Sequence, residues 1–101
     1  MDLLKEFAPE FAKHQMDGKA LLFDNEKYQA IPKKYKILAA ISAAAVLNSD
    51  TCTRIWVKQA KNAGITNAKI TEAVKVARYM KQAVANDTVS NTLELLSEDK
   101  L

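Results

Sequence analysis

Residues 32–47 read PKKYKILAAISAAAVL, and this stretch decides the fold class. Pro32 has a fixed φ and no N–H to satisfy, which suits the opening of a helix. From Ile37 to Leu47 the run ILAAISAAAVL carries no charge and is apolar nearly all round. A helix without a polar stripe has to be covered on every side, which predicts a central helix completed by a neighbouring subunit. Lys33, Lys34 and Lys36 occupy its first turn, the end of the dipole that disfavours cations. Such a basic turn either costs a little stability or faces an anion.

Working outward, Asn48, Ser49 and Asp50 are all good N-cap residues, so a new helix is predicted to start there. Cys52, Ile55, Trp56, Ala60 and Ala63 then fall on one apolar face, and Gly64 is the expected C′ residue. Thr66 or Asn67 caps the next helix, with Ile70, Ala73, Val74, Ala77, Met80 or Lys81, and Val84 as its buried stripe. Asp87 is expected to cap a last helix that turns Val89, Leu93 and Leu96 inward, and the tail from Ser97 to Leu101 to fray. Before the central helix, Leu3, Leu4, Phe7 and Phe11 recur at helical intervals, with a kink or a fresh helix at Pro9. Asp17-Gly18 reads as a stop. Residues 19–30 are mixed and polar, pinned by Leu21, Leu22, Phe23 and Tyr28. With sixteen alanines besides, the expectation is an all-α chain: one domain over residues 1–101, a compact bundle of about five to six helices.

Composition removes several function classes. The 101 residues, with only two Gly and two Pro, fit one ordinary globular domain and no disordered or turn-dense chain. A single Cys and a single His rule out an intrachain disulfide framework or structural zinc site, and no cofactor motif is present. A net charge of +3 is too small to mark a nucleic-acid binder, and no aromatic platform interleaves the lysines. The longest uncharged stretch, Ile37 to Ser49, falls short of the ~20 apolar residues a spanning helix needs. Met1-Asp2-Leu3-Leu4-Lys5-Glu6 lacks the basic flank of a signal peptide. No membrane association and a cytoplasmic location are the expectations.

Chemistry concentrates at Cys52. A thiol near a helix N-terminus meets the positive end of the dipole, which favours sulfur anions, and Arg54 and Lys58 add positive charge. On the opposite reading Cys52 is a small buried hydrophobe that starts an apolar face. Other candidates are weaker. His14 sits between Lys13 and Gln15 on a solvated helix, Glu72 reads as helix support or a subunit contact, and Tyr35, Tyr79 and Met80 read as core or interface.

From Ile31 to Ala85 the sequence resembles the carboxymuconolactone decarboxylase family, specifically its alkylhydroperoxidase D-like branch. The likeness rests on Ile31-Pro32-x-Lys34-Tyr35-Lys36-x-Leu38, an Ala-rich helix, and a cap leading to Cys52. It continues through Ala60, Gly64-Ile65-Thr66 and Ile70-Thr71-Glu72-Ala73. The resemblance implies a site of two cysteines three apart, a His one turn beyond the second, and a Glu on the preceding helix. One thiolate would attack a peroxide, the other resolve the sulfenic acid, and His and Glu move protons. This chain matches the second Cys with Cys52, but has Ser49 at the first Cys, Trp56 at the His and Ile37 at the Glu. Neither the two-cysteine cycle nor lactone decarboxylation is then expected.

Two readings follow. In one, Cys52 is a single-cysteine peroxidase or thiol oxidoreductase of the peroxiredoxin-like, antioxidant kind, acting on a hydroperoxide and resolved by an external thiol or another subunit's Cys52. In the other, the fold is a non-catalytic scaffold, or binds a small hydrophobic ligand around Ile37, Cys52 and Trp56. Either way the resemblance implies a homo-oligomer: a dimer, trimer or hexamer.

Overall fold

The computed structural model describes residues 2–98. Its elements in chain order are α1 (Asp2–Phe7), α2 (Pro9–Phe23), a 3-10 turn (Glu26–Tyr28), α3 (Lys33–Val46), α4 (Asp50–Asn62) and α5 (Asn67–Ser97). The all-α expectation and the helix number hold: five α-helices and one 3-10 turn, with no strand among the described residues. No helix among them is long and apolar enough to cross a membrane. The chain divides into two units, one up to Lys36 and one from Ile37 onward.

In the first unit, α2 starts afresh at Pro9 rather than continuing α1 through a kink. The expected stop at Asp17-Gly18 is not there, and α2 runs on to Phe23. A glycine inside a helix costs about 0.5–1 kcal/mol relative to alanine, too little to end one whose last residue, Phe23, is buried. Lys13 and Asp17 pair across one turn at 2.7 Å, so Asp17 supports the helix it was expected to end. Phe23 pins the segment, whereas Leu21, Leu22 and Tyr28 remain exposed.

The basic turn meets its anion here. Lys33 pairs with the Asp24 carboxylate. The Lys36 ammonium donates to the Leu22 carbonyl at 2.7 Å and also to the Tyr28 carbonyl. Leu22 lies in the last turn of α2, where carbonyls have no partner within the helix and the dipole favours a cation. The unfavourable start of α3 thereby satisfies the end of α2.

In the second unit, Ile37, Ile41 and Ala44 bury one side of α3, with Ile37 and Ile41 sealed from solvent. Ala60 from α4, Ile65 from the following turn, and Ile70, Ala73 and Ala77 from α5 are buried too. Ser42 Oγ donates to the Ala73 carbonyl at 2.7 Å and ties α3 to α5. The expectation that α3 is covered all round fails within one chain, because Ala39, Ala43 and Leu47 are exposed.

Two turns of one kind bracket α4. Asn48 (φ 62) ends α3, its N–H reaching the Ala45 carbonyl while the Ser49 N–H reaches Ala44. Gly64 (φ 76) ends α4, with its N–H on Lys61 and the Ile65 N–H on Ala60. Both are left-handed closures that satisfy the orphan carbonyls of a helix end. Asn48, a candidate N-cap by sequence, in fact terminates the preceding helix.

The expected cap at Asp87 is the other correction. Helix α5 passes through it without a break and continues to Ser97, leaving Val89, Leu93 and Leu96 exposed. Val74, Met80 and Val84 are exposed as well, so the buried stripe is confined to Ile70, Ala73 and Ala77. Residues 99–101 of the expected frayed tail lie outside the described residues. Ser97 is still helical, and the N–H of Glu98 closes onto the Leu95 carbonyl.

Candidate functional site

The start of α4 is set by Ser49, which does two tasks. Its N–H closes the end of α3, and its Oγ accepts the Cys52 N–H at 3.2 Å as the N-cap of α4. The Thr53 hydroxyl then donates to the Ser49 carbonyl at 2.7 Å. Cys52 is thereby held in the first turn of α4, where free N–H groups and the positive end of the dipole lie. Its side chain is exposed.

That exposure corrects the face read from sequence. The residues of α4 shielded from solvent are Thr53, Trp56, Val57, Gln59 and Ala60, of which Ala60 is fully buried. Cys52 lies roughly 70° round the helix from the middle of that set, at 100° per residue. Ile55 and Ala63, expected on the same inward face, are exposed too. The thiol therefore stands at the surface, beside the buried stripe rather than within it.

Of the positions singled out with Cys52, Ser49 is in contact with its backbone, and Trp56 follows one turn later, half-buried. Ile37 is 1% exposed in the core. The charges nearest in sequence are partly spoken for, since Arg54 Nε lies 3.3 Å from Asp50. Lys58 is exposed one turn beyond. No group of three His, Cys, Asp or Glu residues able to hold a metal occurs among the described residues. What the arrangement offers chemically is one accessible sulfur nucleophile on a rigid, capped helix start. His14, by contrast, is an exposed residue of α2, and Glu72, Tyr35, Tyr79 and Met80 are exposed on α3 and α5.

Sequence reading missed two features of this region. Lys81, midway along α5, donates to the Asn48 side chain and so ties α5 to the turn that precedes Ser49. Lys81 was a candidate for the buried stripe, and only the three-dimensional path reveals its partner. The other feature missed, the left-handed conformation of Asn48, had a signal in the residue type, because Asn tolerates that region better than most non-glycine residues.

Comparison with known proteins places this architecture. A crystal structure of a protein from Methanobacterium thermoautotrophicum has the same fold, with a TM-score of 0.78 and 26% sequence identity. The match covers 89% of this chain and 97% of that one. Comparison with functionally curated proteins yields no match. The model of the carboxymuconolactone decarboxylase family matches residues 9–90, a span that runs from the first residue of α2 well into α5 and takes in both turns bracketing α4. With most of its length accounted for in this way, the chain belongs to the carboxymuconolactone decarboxylase family.

Proposed function

We propose that this protein is a single-cysteine thiol oxidoreductase of the alkylhydroperoxidase D-like kind, with Cys52 as its peroxide-reducing nucleophile. The observation that carries the reading is the exposed thiol in the first turn of α4. A helix N-terminus accommodates a sulfur anion, the species that attacks peroxide. The sulfur takes the terminal oxygen of a hydroperoxide, the O–O bond breaks, and the alkoxide leaves as an alcohol after taking up a proton. The resulting sulfenic acid condenses with an external thiol, releasing water and forming a mixed disulfide. A second external thiol frees Cys52 and leaves as the oxidised disulfide. Ser49 occupies the place of a resolving cysteine and the chain has no second cysteine, so the resolving sulfur comes from outside the chain. Such a cycle belongs in a reducing compartment, and we assign the protein to the cytoplasm on that ground.

The chain is also proposed to work as a homo-oligomer, because a large share of its apolar side chains is exposed, from Phe7 and Phe11 to Leu47 and Leu96. A second functional reading, a non-catalytic binding or scaffold protein, is favoured by the apolar groups at Ile37 and Trp56, neither of which can relay a proton at neutral pH. Peroxide consumption with dithiothreitol as reductant separates the two. The wild-type protein is expected to turn over, and to show a trapped sulfenic acid by intact mass, while Cys52→Ser folds identically and is inactive. Wild-type consumption no faster than that of Cys52→Ser would sink the enzymatic reading and leave the scaffold.

A further inference from the structure

Helices α3 and α5 meet at two polar contacts. Ser42 Oγ donates to the Ala73 carbonyl at 2.7 Å, and further along both helices Lys81 donates to the Asn48 side chain. Later residues of one helix thus meet later residues of the other, which sets the two running in the same direction. Lys81 starts from the packed side of α5. Ala77, 2% exposed, precedes it by one turn and lies roughly 40° round the helix. From there the lysine reaches past the last turn of α3 to the residue that ends it.

What Lys81 holds is a backbone under strain. Asn48 has a φ of 62, the left-handed region that opposes any residue with a Cβ. Such a conformation persists where its surroundings over-determine it. Here the Asn48 N–H reaches Ala45, the Ser49 N–H reaches Ala44, and Lys81 takes the side chain. The next residue in the chain is the N-cap of α4. Ser49 Oγ accepts the Cys52 N–H, and the Ser49 carbonyl accepts the Thr53 hydroxyl. Lys81, Asn48, Ser49 and Cys52 therefore form an unbroken path of covalent and hydrogen bonds. Lys81 is the member of it that comes from another helix.

We propose that Lys81 is a positioning residue for Cys52, which it serves by holding Asn48 and through it the Ser49 cap. The inference rests on the reading of Cys52 as the peroxide-reducing nucleophile, and adds the element that keeps its helix turn formed. With the tie gone, Asn48 is free to relax to negative φ and Ser49 to release the Cys52 N–H. The first turn of α4 then frays, and the N–H groups that favour a sulfur anion lose their alignment. The other charges nearby do not substitute for the tie. Asp50 and Arg54 pair with each other, Lys58 lies roughly 120° round α4 from Cys52, and residues 43–47 at the end of α3 carry no ionisable group.

The test is the rate at which hydrogen peroxide converts Cys52 to sulfenic acid at neutral pH, followed by intact mass, in wild type, K81M, K81R and K81M/N48G. K81M is expected to react about fivefold more slowly than wild type, the scale of a lost N-cap, with its cooperative melt retained because residue 81 is exposed. K81R keeps a donor and is expected to react as wild type does. K81M/N48G is expected to recover the wild-type rate, because glycine holds positive φ without strain and the turn no longer needs the lysine. A wild-type thiol inert to peroxide would overturn the nucleophile reading and this inference with it. A reactive wild type matched by K81M would overturn the role of Lys81 alone, as would a K81R or K81M/N48G protein as slow as K81M.

Discussion

At the scale of single residues, two backbone positions decide where the candidate nucleophile stands. Asn48 and Gly64 both hold positive φ, at 62 and 76, and each closes a helix so that α4 begins and ends within a single turn of its neighbours. At Gly64 a Cβ would meet nothing within 4 Å, so a side chain there is opposed by backbone conformation alone. Gly64→Ala is therefore expected to destabilise by about 1–2 kcal/mol, the cost of the left-handed region for an L-residue, read as a lower urea midpoint with an unchanged slope. A neutral result would mean that the turn relaxes to negative φ and that the start of α5 is not rigidly placed. Cys52 itself illustrates what one residue's neighbours withhold from the sequence. Its spacing to Trp56 and Ala60 is that of one helical face, but Thr53, Trp56, Val57, Gln59 and Ala60 are the residues turned from solvent. Apolar spacing defines an arc about a third of the helix wide, and which edge of that arc faces the core is settled only by what packs on it.

At the scale of elements, helix ends were more legible than helix lengths. Gly64 ends α4 as expected, and Pro9, Ser49 and Thr66 are each one of the alternatives the sequence offers at its helix end, because each acts on a backbone group within four residues of itself, through a missing N–H, a side-chain acceptor or a left-handed φ. Gly18 and Asp87 were misread because their residue types permit an ending without imposing one. Asp87 misled for a further reason. The stripe Val89–Leu93–Leu96 lies roughly 130° round α5 from Ile70, Ala73 and Ala77 at 100° per residue, and such a change of face resembles the start of a separate helix. Non-local partners were invisible altogether, and the Lys36 contacts are the clearest case. Its ammonium serves the carbonyls of Leu22 and Tyr28, joining the end of α2 and the 3-10 turn to the first turn of α3. Lys36→Met keeps the stem and removes the donors. The expected cost is about 1–3 kcal/mol, as for hydrogen bonds involving a charged group, measured by thermal or urea unfolding. An unchanged midpoint would show that water serves those carbonyls as well as the lysine does.

At the scale of the whole molecule, the apolar face of α5 changes side along its length, and that has a consequence for stability. Amide protection follows burial and packing. The amides of α3, α4 and the first half of α5, around Ile41, Ala60 and Ala73, draw protection from contacts within one chain and should exchange slowly at any protein concentration. The amides of residues 87–97 belong to an exposed helix without packing of its own, and such a helix frays readily by itself. If a second copy covers them, their protection obeys mass action, because association stabilises only what it binds. Hydrogen exchange followed by mass spectrometry should then show residues 87–97 protected in concentrated protein and fast on dilution, while the Ile41 and Ala73 regions stay slow throughout. Exchange in the arm that is fast at every concentration would mean that nothing covers α5 beyond its middle. Protection that never varies would require a partner bound too tightly to dilute away. The comparison thus separates the stability a single chain supplies through its buried alanines and isoleucines from the stability that another molecule has to bring.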